Sequence, residues 1–253
     1  MPPNLDGLLW LLLLLGPILL LQRSLHREIR AIFLLLTRRE DITIVLFSIL
    51  FFPGILLHES SHYVMARLLR VRTRRFSLIP RPLKNGRLQL GFVETASTDW
   101  ARDAFIGAAP LLTGGLFVAY AGLVHLGLPA LWRAISAGDT VGMLEALPNS
   151  SSQTDFWLWF YLTLVVSSTM LPSETDRRAW LPMGLIVVLL LSLSLFLGAG
   201  PWLVQNLAAP LNRVLQAVAL VLGISVLVHL IFLFPLWVIR RLLAWMLRLE
   251  VVI

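Results

Sequence analysis

Long apolar runs broken by short charged stretches constrain this chain more than any other feature of its sequence. The runs cover roughly 8–21, 42–66, 103–127, 155–171, 181–199 and 214–239. At about 1.5 Å per residue, a helix needs about 20 residues to cross the hydrocarbon core of a bilayer. The second, third and sixth runs meet that length comfortably, whereas the first and fourth are short. Only 14% of the residues are charged against 58% hydrophobic, and a soluble domain carries about a quarter charged residues to cover its surface. Lipid offers backbone groups no hydrogen-bond partners, so apolar runs of this kind must satisfy them internally, as helices. The sequence therefore predicts an α-helical polytopic membrane protein with about six transmembrane segments.

The net charge is +7, but the basic residues flank the apolar runs, as at Arg67, Arg70, Arg72, Arg74 and Arg75 and at Arg240-Arg241. That placement suits lipid headgroups and the positive-inside bias, not nucleic acid. Loop charge puts 67–101, 173–180 and the C-terminus on the cytoplasmic side. Arg23, Arg27, Arg30, Arg38 and Arg39 break the alternation, and their spacing among Leu and Ile suggests an amphipathic segment on a membrane surface. The first run has no Lys or Arg before it and no small-x-small site after it, so it reads as a retained span or interfacial segment. Cysteine is absent, which restricts any metal to nitrogen and oxygen ligands.

Residues 71–95 follow a different period. Leu88, Leu90 and Phe92 alternate with Gln89, Gly91 and Val93, and Asn85-Gly86 ahead of them favours a type I′ turn. With Val71–Leu78 as the partner strand, this predicts a membrane-associated β-hairpin after the second span, at the cytoplasmic surface. Strand 87–94 offers an edge to which an extended peptide can add, with Leu88, Leu90 and Phe92 as its contact residues.

The second run contains His58-Glu59-Ser60-Ser61-His62. Residues four apart on a helix share a face, so both imidazoles can bind one ion, and Glu59 is placed to act on its water. Zinc lowers the pKa of such a water towards 7, and a neighbouring carboxylate can take the proton during attack on a carbonyl. A polar contact between helices is the alternative reading of these side chains. Ionisable groups within a span, however, usually mark function, because hydrocarbon penalises them. Two histidines leave a catalytic zinc short of one protein ligand. Asp176 and Glu174, just beyond the fourth run, are both candidates, and either can instead be a loop carboxylate paired with Arg177 or Arg178. His125 and His229 are further candidate ligands, but each stands alone in an apolar run and reads more readily as a packing or interfacial residue.

This order of features resembles the site-2 proteases, a family of intramembrane zinc metalloproteases. HESSH lies in an early span, a hairpin-forming segment follows, and a later span ends in Ser168-Thr169-Met170-Leu171-Pro172 with Asp176 beyond it. Thr169, with Ser168 beside it, stands where the family typically has Asn, and Arg177 follows Asp176 where the family has Gly. The resemblance implies one Zn2+ per chain held by His58, His62 and Asp176, with Glu59 as catalytic base and Thr169 and Ser168 as substrate-binding residues. It also implies a three-span catalytic core over 42–180, flanked by 1–41 and by two C-terminal spans in 181–253. No inserted peptide-binding domain separates the third and fourth runs. The implied partner is a transmembrane protein substrate, in a prokaryotic cell membrane, with the active site towards the cytoplasm. Two other readings remain open: a membrane zinc peptidase of another family that uses Glu174, and a catalytically silent relative that binds membrane proteins.

Overall fold

The computed structural model describes residues 6–79, 81–82, 88–89, 91–142, 152 and 154–249. The predicted turn at Asn85-Gly86 and the contact residue Leu90 lie outside them.

The first apolar run and the arginine-bearing segment after it form one helix, α1 (Asp6–Thr37), about 48 Å long. Its second half is not confined to a membrane surface. Leu25, Glu28, Ile29, Ile32 and Leu35 recur at helical spacing and are buried. Arg38 takes a left-handed φ of 55°, which ends α1, and α2 (Glu40–Leu68) turns back along it. The ring of His26 meets those of Phe47 and Phe51 at 5.3 and 4.9 Å.

Beyond α2 the predicted hairpin forms from β1 (Thr73–Ser77) and β4 (Phe92–Thr95), paired antiparallel with Ser77 opposite Phe92. The short strands β2 (Arg81–Pro82) and β3 (Leu88–Gln89) continue it. The hairpin folds back along α2 instead of lying beyond its end. Phe76 meets the ring of Tyr63, and Leu78 and Ile79 close a cleft of about 300 Å³ against α2 between Ile44 and Phe52. Nine residues of extended chain cover the same distance as about 20 residues of helix, which is why the strand can reach so far back.

Helix α3 (Trp100–Tyr120) begins on an Asp99 cap and runs on as a π-helical turn, Ala121–His125. After α4 (Leu128–Ala137) come α5 (Phe156–Thr169), α6 (Trp180–Phe196), α7 (Gly200–Asn206) and the 40-residue α8 (Ala208–Leu247). Phe51, Val118, Val165 and Leu222 join α2, α3, α5 and α8 in one apolar core. Where α3 and α5 meet at the far end, His125 lies 3.3 Å from Asp155 and stacks on Trp159 at 3.9 Å, so it is not alone.

Among the described residues, four helices (α1, α2, α3 with its π turn, and α8) are long and apolar enough to cross a membrane, and the bent pair α6–α7 makes a fifth if taken together. Helix α5, with 14 residues, is about 21 Å long and short of a full crossing. No residue of α6 is buried although it is almost wholly apolar, as expected of a helix surrounded by lipid.

The alternation of loop charges does not survive. Helices α1 and α8 run parallel: Gly7 donates to Asn212 Oδ1 at one end, and Arg240 pairs with the buried Glu28 at the other. Because α1 is antiparallel to α2, α8 starts at the end of the bundle where α2 finishes and carries Arg240 and Arg241 to the opposite end. The α6–α7 pair, bent by 117°, joins α5 to α8 at the same end of the bundle, so the basic residues are shared between both ends.

Candidate metal centre

His58 and His62 lie one turn apart on α2, and each ring is oriented by a backbone carbonyl. His58 Nδ1 donates to Thr169 O at 2.6 Å and His62 Nδ1 donates to Ile106 O at 2.8 Å. Both carbonyls are free for reasons written in the sequence. The helical partner of Ile106 O would be the N–H of residue 110, which is Pro110 and has none. Thr169 ends α5, where the last carbonyls have no partner within the helix. With both Nδ1 atoms committed as donors, the two Nε2 lone pairs point into one space, 3.2 Å apart.

Asp176 completes the group. Its Oδ1 lies 3.3 Å from His62 Nε2 and its Oδ2 3.8 Å from His58 Nε2. The three ligand atoms fall within 4.8 Å of one another. Zinc bonds of 2.0–2.1 Å in tetrahedral geometry place ligand atoms about 3.3–3.4 Å apart. The donor set and its spacing therefore fit zinc, and the carbonyl acceptors behind both imidazoles are the outer shell that metal-binding histidines require.

The loop after α5 carries Asp176 into place by three contacts. Ser173 and Asp176 bond reciprocally: Ser173 N donates to Asp176 Oδ2 at 2.7 Å, and Asp176 N donates to Ser173 Oγ at 3.3 Å. Arg178 grips Asp103 of α3 with two hydrogen bonds of 2.7 and 2.8 Å. Gly107 permits the closest approach of all, since a Cβ there would lie 1.9 Å from Asp176 O. Burial raises the affinity of the Asp176 carboxyl for its proton. The neighbouring His62 ring and the hydrogen bonds from Ser173 outweigh that and hold it below the ordinary carboxylate range. It is thus an acceptor at neutral pH. The arginines expected as its alternative partners go elsewhere, Arg178 to Asp103 and Arg177 to Ser173 O.

Glu59 is buried, with 7% of its surface exposed, and stands beside the group without belonging to it. The hairpin covers it: a Cβ on Gly91 would lie 2.8 Å from Glu59 Cγ and 3.0 Å from its Oε1. Glu174 is exposed and outside the group. Leu88 lies in β3 and Phe92 in β4, flanking Gly91. Thr169 uses its carbonyl on His58, while its hydroxyl donates back to Val165 O at 2.9 Å. Ser168 departs from its expected place beside substrate. It is 1% exposed, and α5 is rotated so that its hydroxyl meets His229 Nε2 at 2.9 Å.

Ile106 and Ser173 were not legible as site residues from motif spacing. Pro110 four residues after Ile106, and the Ser-x-x-Asp pattern of 173–176, were the available signals. No family model, curated protein or solved structure matches this chain.

Proposed function

We propose that this chain is an intramembrane zinc protease of the site-2 type, hydrolysing peptide bonds in or at the edge of transmembrane segments of other membrane proteins. One observation carries the reading: His58, His62 and Asp176 converge at zinc-ligand spacing, with both imidazole tautomers preset, beside the buried carboxylate of Glu59. Zinc bound there supplies a Lewis acid and lowers the pKa of water towards neutrality. Glu59 accepts the proton of the attacking water and returns it to the departing amide nitrogen. His58 and His62 are kept from rotating by Thr169 O and Ile106 O. Asp176 stays ionised and oriented by Ser173.

The hairpin supports the same reading. Non-helical backbone at membrane depth is tolerated where it is buried in protein or lines a water-filled cavity. Hydrolysis needs such a cavity. In the described residues β1 and β4 form a two-stranded sheet, and Gly91 next to β4 lies against Glu59. An extended substrate segment adding to this sheet at Leu88–Phe92 brings its carbonyls to the Glu59 side. A substrate helix must unwind to do so, because its carbonyls are otherwise held in its own hydrogen bonds.

In this reading all six apolar segments lie in the bilayer, four of them long enough to cross it, with α5 shorter and the α6–α7 pair bent. The Arg67–Arg75 end, near the metal group, faces the cytoplasm. The test is cleavage of a membrane-protein substrate by the purified protein in detergent or vesicles. Turnover stopped by a zinc chelator and lost in Glu59→Gln, which keeps its metal, is the expected result. Substrate bound but never cut by the unmutated protein would point to a binding relative instead.

A further inference from the structure

Buried polar side chains that the proposed chemistry does not use gather where α1, α5 and α8 meet. Ser168, Ser225 and His229 are all 1% exposed or less. His229 Nδ1 donates to Ser225 O at 2.7 Å, which leaves Nε2 to accept the Ser168 hydroxyl at 2.9 Å. From α1, Gln22 Nε2 donates to Ser168 O. The next carbonyl along the chain, Thr169 O, receives His58 Nδ1.

These contacts form a continuous chain from the flanking helices to a metal ligand. The Ser168 and Thr169 carbonyls belong to consecutive planar peptide units, separated by only two soft dihedrals. Fixing the first by Gln22, and the Ser168 side chain by His229, fixes the direction in which the second points. Packing alone does not account for the arrangement, because apolar residues of similar shape would join three helices in lipid without desolvating an imidazole, an amide and hydroxyls. The sequence reading placed α1 and α8 outside the catalytic core.

We propose that His229 and Gln22 are positioning residues for the metal site, holding the last turn of α5 so that Thr169 O orients His58. The proposal rests on the zinc reading above. Its test uses the full chain in detergent, with zinc affinity measured by competition against a chromophoric chelator and the visible spectrum of the cobalt-substituted protein recorded beside it. His229→Phe and Gln22→Leu should each weaken zinc binding about tenfold, the lower end of the loss on removing outer-shell partners, and shift the cobalt bands. His229→Gln, whose amide can accept from Ser168 and donate to Ser225 O, should restore both. Should His229→Phe fail to fold, Ser168→Ala removes only the hydroxyl and answers by the same two readouts. Unchanged affinity and bands in folded variants would overturn the positioning role while leaving the zinc site standing. Equal loss in His229→Gln and His229→Phe would reduce His229 to a packing residue. An unmutated protein that takes up neither metal overturns the zinc reading and this proposal together.

Discussion

Replacing Gly107 with alanine offers a sharp perturbation of the site, because the added atom points at the backbone of Asp176, the proposed third metal ligand. The Cβ would lie 1.9 Å from Asp176 O, 2.9 Å from its C and 3.3 Å from its Cα. Opening the first contact to 3.0 Å, below which real Cβ contacts are essentially never seen, requires a movement of about 1.1 Å. Zinc–ligand distances tolerate about 0.2 Å, so Asp176 leaves the coordination range unless the whole loop yields. That loop is held by the Arg178–Asp103 pair and by the start of α6, and α3 is held by the His62 contact to Ile106 O. Losing the third ligand should lower zinc affinity at least about 100-fold, or about 2.8 kcal/mol at 1.4 kcal/mol per decade. The assay is a chelator competition on detergent-purified protein, with helix content by circular dichroism as the folding control. Gly115→Ala is the matched comparison on the same helix, since its Cβ would meet only Val221 Cγ1 at 3.8 Å and should change nothing. Zinc affinity within threefold of the unmutated protein in Gly107→Ala would show that Asp176 is not held in place by the space at Gly107.

Three further outcomes follow from the same geometry. Asp176→Ala should lose zinc while Glu174→Ala, at an exposed carboxylate outside the group, should keep it; metal analysis of the two variants separates them. Gly91→Val should push the hairpin off Glu59 and lower turnover at least about tenfold with zinc retained, read by single-turnover cleavage and metal content on one sample. The Arg178–Asp103 pair has an arginine that is 61% exposed, so a double-mutant cycle on thermal unfolding should give a coupling below about 1 kcal/mol.

What the sequence disclosed and what it hid divide along physical lines. His58, Glu59 and His62 were legible because a helical period converts spacing directly into a shared face. The hairpin was legible from alternation, but its path back along α2 was not, since a period of two says nothing about which surface a strand packs against. Asp176 and Glu174 could not be separated by position. The Ser173–Asp176 turn and the space at Gly107 separate them. Ser168 was placed on the wrong side because the rotation of α5 about its axis depends on Gln22 and His229, more than 50 residues away on either side. The charge count failed at 181–199, which reads as a span. Gly198, with a φ of 81°, lets the chain turn at the end of α6, where α7 departs at 117°.

The most direct test of the central claim is the zinc content of the purified chain by elemental analysis, beside His58→Ala and Asp176→Ala. About one zinc per chain in the unmutated protein, and its loss in both variants, is the expected result. A chain that stays free of zinc when the metal is supplied, or variants that keep it undiminished, would contradict the claim that His58, His62 and Asp176 form a metal centre.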